Sequence, residues 1–117
     1  MNYNECSFLY EEKIMFNKKP IYIKVYANHC SNALLFQSED TSIQPRDIVM
    51  ISLQGREVPA MVVQVSRKIK NKDINPEFIL RKAGFFEKNK LSKDVYNRVK
   101  NEELAWIDEI EYWNAMD

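Results

Sequence analysis

The sequence predicts an α+β chain of one domain: a small antiparallel β-barrel over residues 1–66, then two or three C-terminal helices packed on it over residues 67–117. Three observations carry this. Short apolar runs separated by turn residues fill the first half, the strongest being "PRDIVMISLQGREVPAMVVQVS" from Pro45 to Ser66. The apolar spacing then changes to steps of three and four, which is helical. Finally, 117 residues with 45% hydrophobic and 29% charged side chains suffice to bury one core.

The elements follow in order. "KIMF" and "IYIKVYA" flank "NKKP", a polar connection suited to a hairpin. In the second of these strands Ile21, Ile23 and Val25 share one face, and Tyr22, Lys24 and Tyr26 the other. "NALLFQSE" is a third strand, ended by Glu39-Asp40-Thr41-Ser42. "DIVMISL" and "EVPAMVVQVS" form a hairpin at Gln54-Gly55-Arg56, where glycine can take the positive φ of a tight turn. Pro59 cannot donate to a ladder and belongs at an edge or a bulge. Short antiparallel strands with such a bend suit a small barrel of the OB or SH3 kind. A ribbon apolar on both faces must be covered on both, by the barrel interior and by helices.

Asn75-Pro76 reads as a helix start, "PEFILRKAGFF" as its body and Gly84 as its stop. Ser92 is expected to cap a second helix, and Asn101, followed by Glu102 and Glu103, a third. Val95 and Val99, then Ala105, Trp106, Ile110 and Trp113, give the apolar stripe.

Seventeen basic residues balance seventeen acidic ones, but unevenly. Residues 66–100 carry eleven basic against four acidic side chains; residues 101–117 carry six acidic and none basic. A basic middle and an acidic tail neutralise each other or serve partners. No apolar run approaches the roughly 20 residues that span a bilayer. Glu5, Glu11 and Glu12 stand where a secretory leader carries basic residues, so cytoplasmic residence without membrane association is expected. In such a compartment Cys6 and Cys30 remain thiols. His29 with two cysteines supplies no pair at metal-ligand spacing.

Several chemistries lack their residues. Two glycines, Gly55 and Gly84, cannot build a phosphate-cradling glycine-rich loop. No Gly-x-Ser-x-Gly elbow or zincin histidine pair occurs. Neither catalysis nor a cofactor or metal is expected.

The stretch from Ile21 to Ser66 resembles the N-terminal DNA-binding domain of the primosomal helicase PriA. "IYIKVYA" matches its opening strand, "LLFQSE" its aromatic strand, and "PRDIVMISLQGRE" with "PAMVVQVS" its valine-rich pair joined at a glycine. Gly55-Arg56 falls on that family's glycine and basic residue. The resemblance implies a small OB-related barrel that binds DNA. It departs at Leu35, beside the aromatic, where the family has an acidic residue for a DNA 3′ end, and at Arg46 or Asp47 and at Ala60, where that family has its two usual glycines.

Two functions are therefore expected as alternatives. The first is a non-catalytic module binding nucleic acid, with single-stranded DNA as the expected ligand. Tyr22, Tyr26 and Phe36 would stack bases, and Lys24, Arg56, Arg67, Lys68, Lys70 and Lys72 would contact phosphates. The second is a small protein-interaction or inhibitor protein of a mobile element or phage, acting through an acidic C-terminal helix that carries Trp106, Glu109, Tyr112 and Trp113.

Overall fold

The computed structural model describes residues 19–70 and 73–110. The first expected strand, "KIMF", lies outside them, as do Cys6, Lys72, Tyr112 and Trp113. Four antiparallel strands form a curled, half-barrel sheet in the order β2-β1-β4-β3: β1 Ile21–Ala27, β2 Leu34–Ser38, β3 Ile48–Leu53 and β4 Arg56–Ser66. Each falls where the alternation of apolar residues puts it. Ile21, Ile23, Val25 and Ala27 of β1 are buried, and Tyr22, Lys24 and Tyr26 are half-buried on the opposite face.

Strand β4 is central, with β1 on one flank and β3 on the other. It is apolar on both faces, as a strand covered on both sides must be. Ala60, Val62 and Val65 pack inside with Ile23, Val25, Phe36, Val49 and Ile51. Met61 and Val63 pack outside with Ile48, Leu91, Val95 and Val99. The inward set changes from even to odd numbers because of a β-bulge. Lys24 faces Gln64 but Val25 faces Val62, leaving Val63 without a partner on β1.

Pro59 opposes Met50 on β3, one residue beyond the last β1 pair, Ala27 with Ala60. The Val62 N–H to Asp47 O bond sets the phase of the ladder, so Pro59 turns its nitrogen away from β3, to the flank that β1 has left. At the turn of this β3–β4 hairpin, Gln54 (φ 53°) and Gly55 (φ 79°) both occupy the left-handed region, the signature of a type I′ turn.

The expected helix from Pro76 to Gly84 does not form; the segment is extended. The edges of β2 and β3 carry unpaired backbone groups, and satisfying them outweighs local helix signals. Gln37 N–H bonds Glu77 O and Ile79 N–H bonds Gln37 O, each at 2.9 Å. Leu80 N–H bonds Met50 O at 2.8 Å and Ala83 N–H bonds Ile48 O at 2.9 Å. Residues 77–83, including the short strand β5 (Arg81–Lys82), thus touch β2 at one end and β3 at the other. The buried Gln37 side chain completes the seam: its Nε2 donates to Asn75 Oδ1 at 2.9 Å and to Pro76 O. The residues read as a helix start are acceptors for a glutamine.

Two helices occur among the described residues. Gly84, expected to end one, instead precedes α1 (Phe85–Lys88). Helix α2 (Lys93–Lys100) has Ser92 at its N-cap position, as expected, though without a side-chain cap bond, and covers the outer face of β4 with Val95 and Val99. Asn28, in the turn after β1, seats it: its Nδ2 donates to Lys90 O at 2.9 Å and its Oδ1 accepts from Ser92 N–H at 2.8 Å. Asn101 closes α2 and does not open a third helix. Residues 105–106 instead form β6 (Ala105–Trp106), parallel to Gln64 and Val65 of β4. Strand β3 has ended by that point, so β4 has an open flank there, and β6 takes it.

Two substitutions test this construction. Gln37→Leu leaves the Asn75 and Pro76 acceptors without their donor, and urea unfolding should show a loss of about 1–3 kcal/mol. Gln54→Asn suits the left-handed turn position better and should gain about 0.5 kcal/mol, whereas Gly55→Ala should lose about 1 kcal/mol, both read as shifts in melting midpoint.

Candidate nucleic-acid interface

The site begins where β4 ends. Ser66 is fully buried, and its Oγ lies 2.9 Å from both Lys68 O and Asp108 O while accepting from Lys68 N–H at 3.1 Å. This ties the turn after β4 to the C-terminal segment and leaves Arg67 and Lys68 exposed. Ile107 N–H bonds Val65 O at 2.8 Å, Ile110 N–H bonds Lys68 O at 3.0 Å, and Lys70 N–H bonds Ile110 O at 2.9 Å. Residues 65–70 and 105–110 therefore run side by side. Leu35, Ile69 and Ile110 form the small buried cluster beneath them, with Tyr22, Ile74 and Ile107 packed against it.

Two adjoining open clefts lie over this cluster. One, of about 520 Å³, is lined by Arg67, Lys68, Trp106, Ile107, Asp108 and Glu109. The other, of about 410 Å³, is lined by Lys19, Tyr22, Arg67, Lys68, Ile69 and Glu109. They share Arg67, Lys68 and Glu109, so one groove runs from Trp106 to Tyr22. The Trp106 ring is 38% exposed and fixed in place: its Nε1–H donates to Gln44 Oε1 at 2.8 Å, and the Arg67 guanidinium carbon lies 5.4 Å from its centroid. The groove thus offers two aromatic surfaces and three cations, Lys19, Arg67 and Lys68, with the carboxylates of Asp108 and Glu109 in the same lining.

The sequence assigned Tyr22, Arg67 and Lys68 to one function and Trp106 and Glu109 to the other; the fold gathers all five at one groove. The rest lie elsewhere. Phe36 is 5% exposed and belongs to the inner core, so its ring is not available for stacking, a correction that follows from the inward face of β2. Tyr26 lies at the far end of β1 from Tyr22, beneath the Arg98 guanidinium at 5.1 Å, and Arg98 also donates to Cys30 O. Partial burial, then the nearby Glu102 carboxylate, raise the Tyr26 phenol pKa. Lys24 stands between Leu35 and Gln64 at mid-strand. Arg56 is exposed at the β3–β4 turn, the opposite end of β4 from Ser66. Lys70 is exposed just beyond Ile69. Residues 102–110 are not helical, so the acidic helix expected to carry Trp106 and Glu109 is absent over the described residues. Lys19, Gln44 and Asp108 are additions no sequence signal marked: Gln44 meets Trp106 across 62 positions.

A second surface stands apart. Helix α1 buries none of its residues, and Phe85 and Phe86 are 77% and 80% exposed, their rings edge to face with centroids 5.6 Å apart. Arg81 holds the helix by a two-pronged pair, its Nη1 and Nη2 each 2.6 Å from a Glu87 oxygen, and Gly84 N–H adds a bond to Glu87 at 2.7 Å. Among the described residues the ion pairs of Arg81 and Lys82 reach Glu57, Glu87 and Asp47, not the acidic tail.

Comparison with protein-family models, with curated proteins and with solved structures gives no match. Among the described residues no group of three or more His, Cys, Asp or Glu side chains is arranged to hold a metal ion. No described helix is long and apolar enough to cross a membrane.

The Arg81 guanidinium, with the Gly84 amide, lowers the Glu87 pKa from an ordinary 4.5 to about 2. A carboxylate depressed in the folded state stabilises above its unfolded value, and the contribution is lost as pH falls toward the folded one. Glu87→Gln should therefore lower the melting temperature at neutral pH and flatten its decline between pH 4.5 and 2, by calorimetry across that range.

Proposed function

We propose that this chain is a non-catalytic module that binds single-stranded nucleic acid in the groove between Trp106 and Tyr22. The observation that carries the reading is the exposed indole of Trp106, braced by Gln44 and Arg67 beside Lys68, with Lys19 at the Tyr22 end of the groove. An aromatic platform flanked by a basic path is what unpaired bases and their phosphates require, because every base has a π face and every linkage a negative charge. Duplex offers no free base face to such a ring. The curled sheet suits an OB- or SH3-like barrel, and the resemblance of residues 21–66 to the PriA DNA-binding domain points the same way. Asp108 and Glu109, in the same lining, would confine phosphates to the Arg67 and Lys68 side.

Fluorescence anisotropy with a labelled oligothymidylate tests this at low salt. If Lys19, Arg67 and Lys68 each meet a phosphate, the slope of log affinity against log salt should be about −2. Arg67→Glu with Lys68→Glu should abolish binding. Trp106→Ala should weaken it by about 1–3 kcal/mol, the worth of one stacked base. Absence of binding at the lowest salt with folded protein would refute the proposal.

A further inference from the structure

The segment from Gln44 to Asp47 joins the groove to a second cluster of cations. Gln44, whose side chain holds the Trp106 indole, precedes Pro45 and Arg46 in sequence. Backbone bonds fix the turn: Asp47 N–H bonds Gln44 O at 3.1 Å, Gln44 N–H bonds Asp47 Oδ2 at 2.9 Å, and Arg46 N–H bonds Val62 O at 2.7 Å. Val62 makes these bonds on the flank of β4 that β6 takes at Gln64 and Val65. Arg46 and Trp106 therefore follow one another along one strand edge, and the step from Val62 to Val65 is about 10 Å of strand.

Beyond this turn lies a cleft of about 220 Å³ lined by Arg46, Asp47, Ile48, Lys82, Ala83 and Lys88. Three cations meet one carboxylate there, and that carboxylate is engaged by the Gln44 amide and, at 3.8 Å, by Lys82. Arg46 and Lys88 are exposed and, among the described residues, have no ion-pair partner. Arg46 also holds its backbone at φ 82°, a left-handed conformation that glycine or asparagine adopts with less strain. Backbone conformation disfavours arginine at this position, so what the residue contributes is its guanidinium. A strand stacked on Trp106 and continuing past Gln44 along this edge brings its next phosphates to Arg46. We infer that Arg46, Lys82 and Lys88 form a second phosphate subsite, reached only by a strand long enough to run on from the Trp106 groove. The inference rests on the nucleic-acid reading of that groove and narrows its ligand to a continuous single strand, as opposed to a mononucleotide.

Fluorescence anisotropy on the full chain with oligothymidylates of about 4 and about 16 nucleotides, the range of site sizes for one such barrel, tests it. The groove cations alone give a salt slope of about −2; adding Arg46 and Lys88 should steepen it to about −3.5 for the longer strand only. Arg46→Gly with Lys88→Ala should return that slope to about −2 and weaken the longer strand about tenfold or more, with the shorter one bound as before. Arg46→Gly alone should not lower the melting temperature, because glycine accepts the left-handed backbone, and this separates loss of the cation from damage to the fold. Trp106→Ala, by contrast, should weaken both lengths. A native slope of about −2 at both lengths, or a longer strand indifferent to the Arg46 and Lys88 substitutions, would overturn the inference and leave the groove standing. Substitutions that weaken both lengths alike would overturn it as a general effect of charge. Absence of binding at either length would remove the groove reading and this subsite together.

Discussion

The constraint on which this structure depends is that β4 is buried on both faces. A strand in that position needs a cover on each side, and its neighbours are arranged to supply it. The curl of β1, β2 and β3 covers one face with Ile23, Val25, Phe36 and Ile51; α2 covers the other with Val95 and Val99. The bulge opposite Lys24 and Val25 lets one strand serve both cores. Without that extra residue Val65 would leave the inner core, because a one-residue slip exchanges the two faces of a strand.

The groove arises from the same constraint. Strand β4 outlasts β3, so Gln64 and Val65 would present unpaired backbone groups on one flank. The C-terminal segment fills that flank as a short parallel strand and, in doing so, sets Trp106 beside Val65 at the end of β4, within reach of Arg67 and Gln44. The aromatic platform is thus positioned by backbone pairing and not by a buried side chain of its own. That explains how a ring 38% exposed can hold one orientation.

The four β-strands were legible almost to the residue, because period-two alternation and the Gln54-Gly55 turn are local signals. The two helix expectations that failed did so for one reason. Asn75-Pro76 and the three- and four-residue spacing around Trp106 are real helical signals, yet both segments lie beside open strand edges. An edge dozens of positions away in sequence leaves no mark on a local window, as the Gln37 bonds to Asn75 and Pro76 illustrate. Half of the groove was legible by the same logic. Arg67, Lys68 and Tyr22 stand out by residue type and strand phase, while Lys19 and Gln44 enter only through contacts between distant segments. Phe36 misled because an aromatic in a strand reads the same from either face until the register is known.

The two exposed aromatic surfaces differ in what holds them. Trp106 is braced by an indole hydrogen bond, a stacked guanidinium and a paired backbone, and it lies over a buried cluster. Helix α1 has none of this: it buries no residue and is tethered by one solvent-facing Arg81–Glu87 pair and the Gly84 amide. An element this short contributes nothing to the core and exposes two phenylalanines, so folding alone gives no reason to keep it helical. A rigid aromatic on a packed base suits a ligand that must stack in one plane.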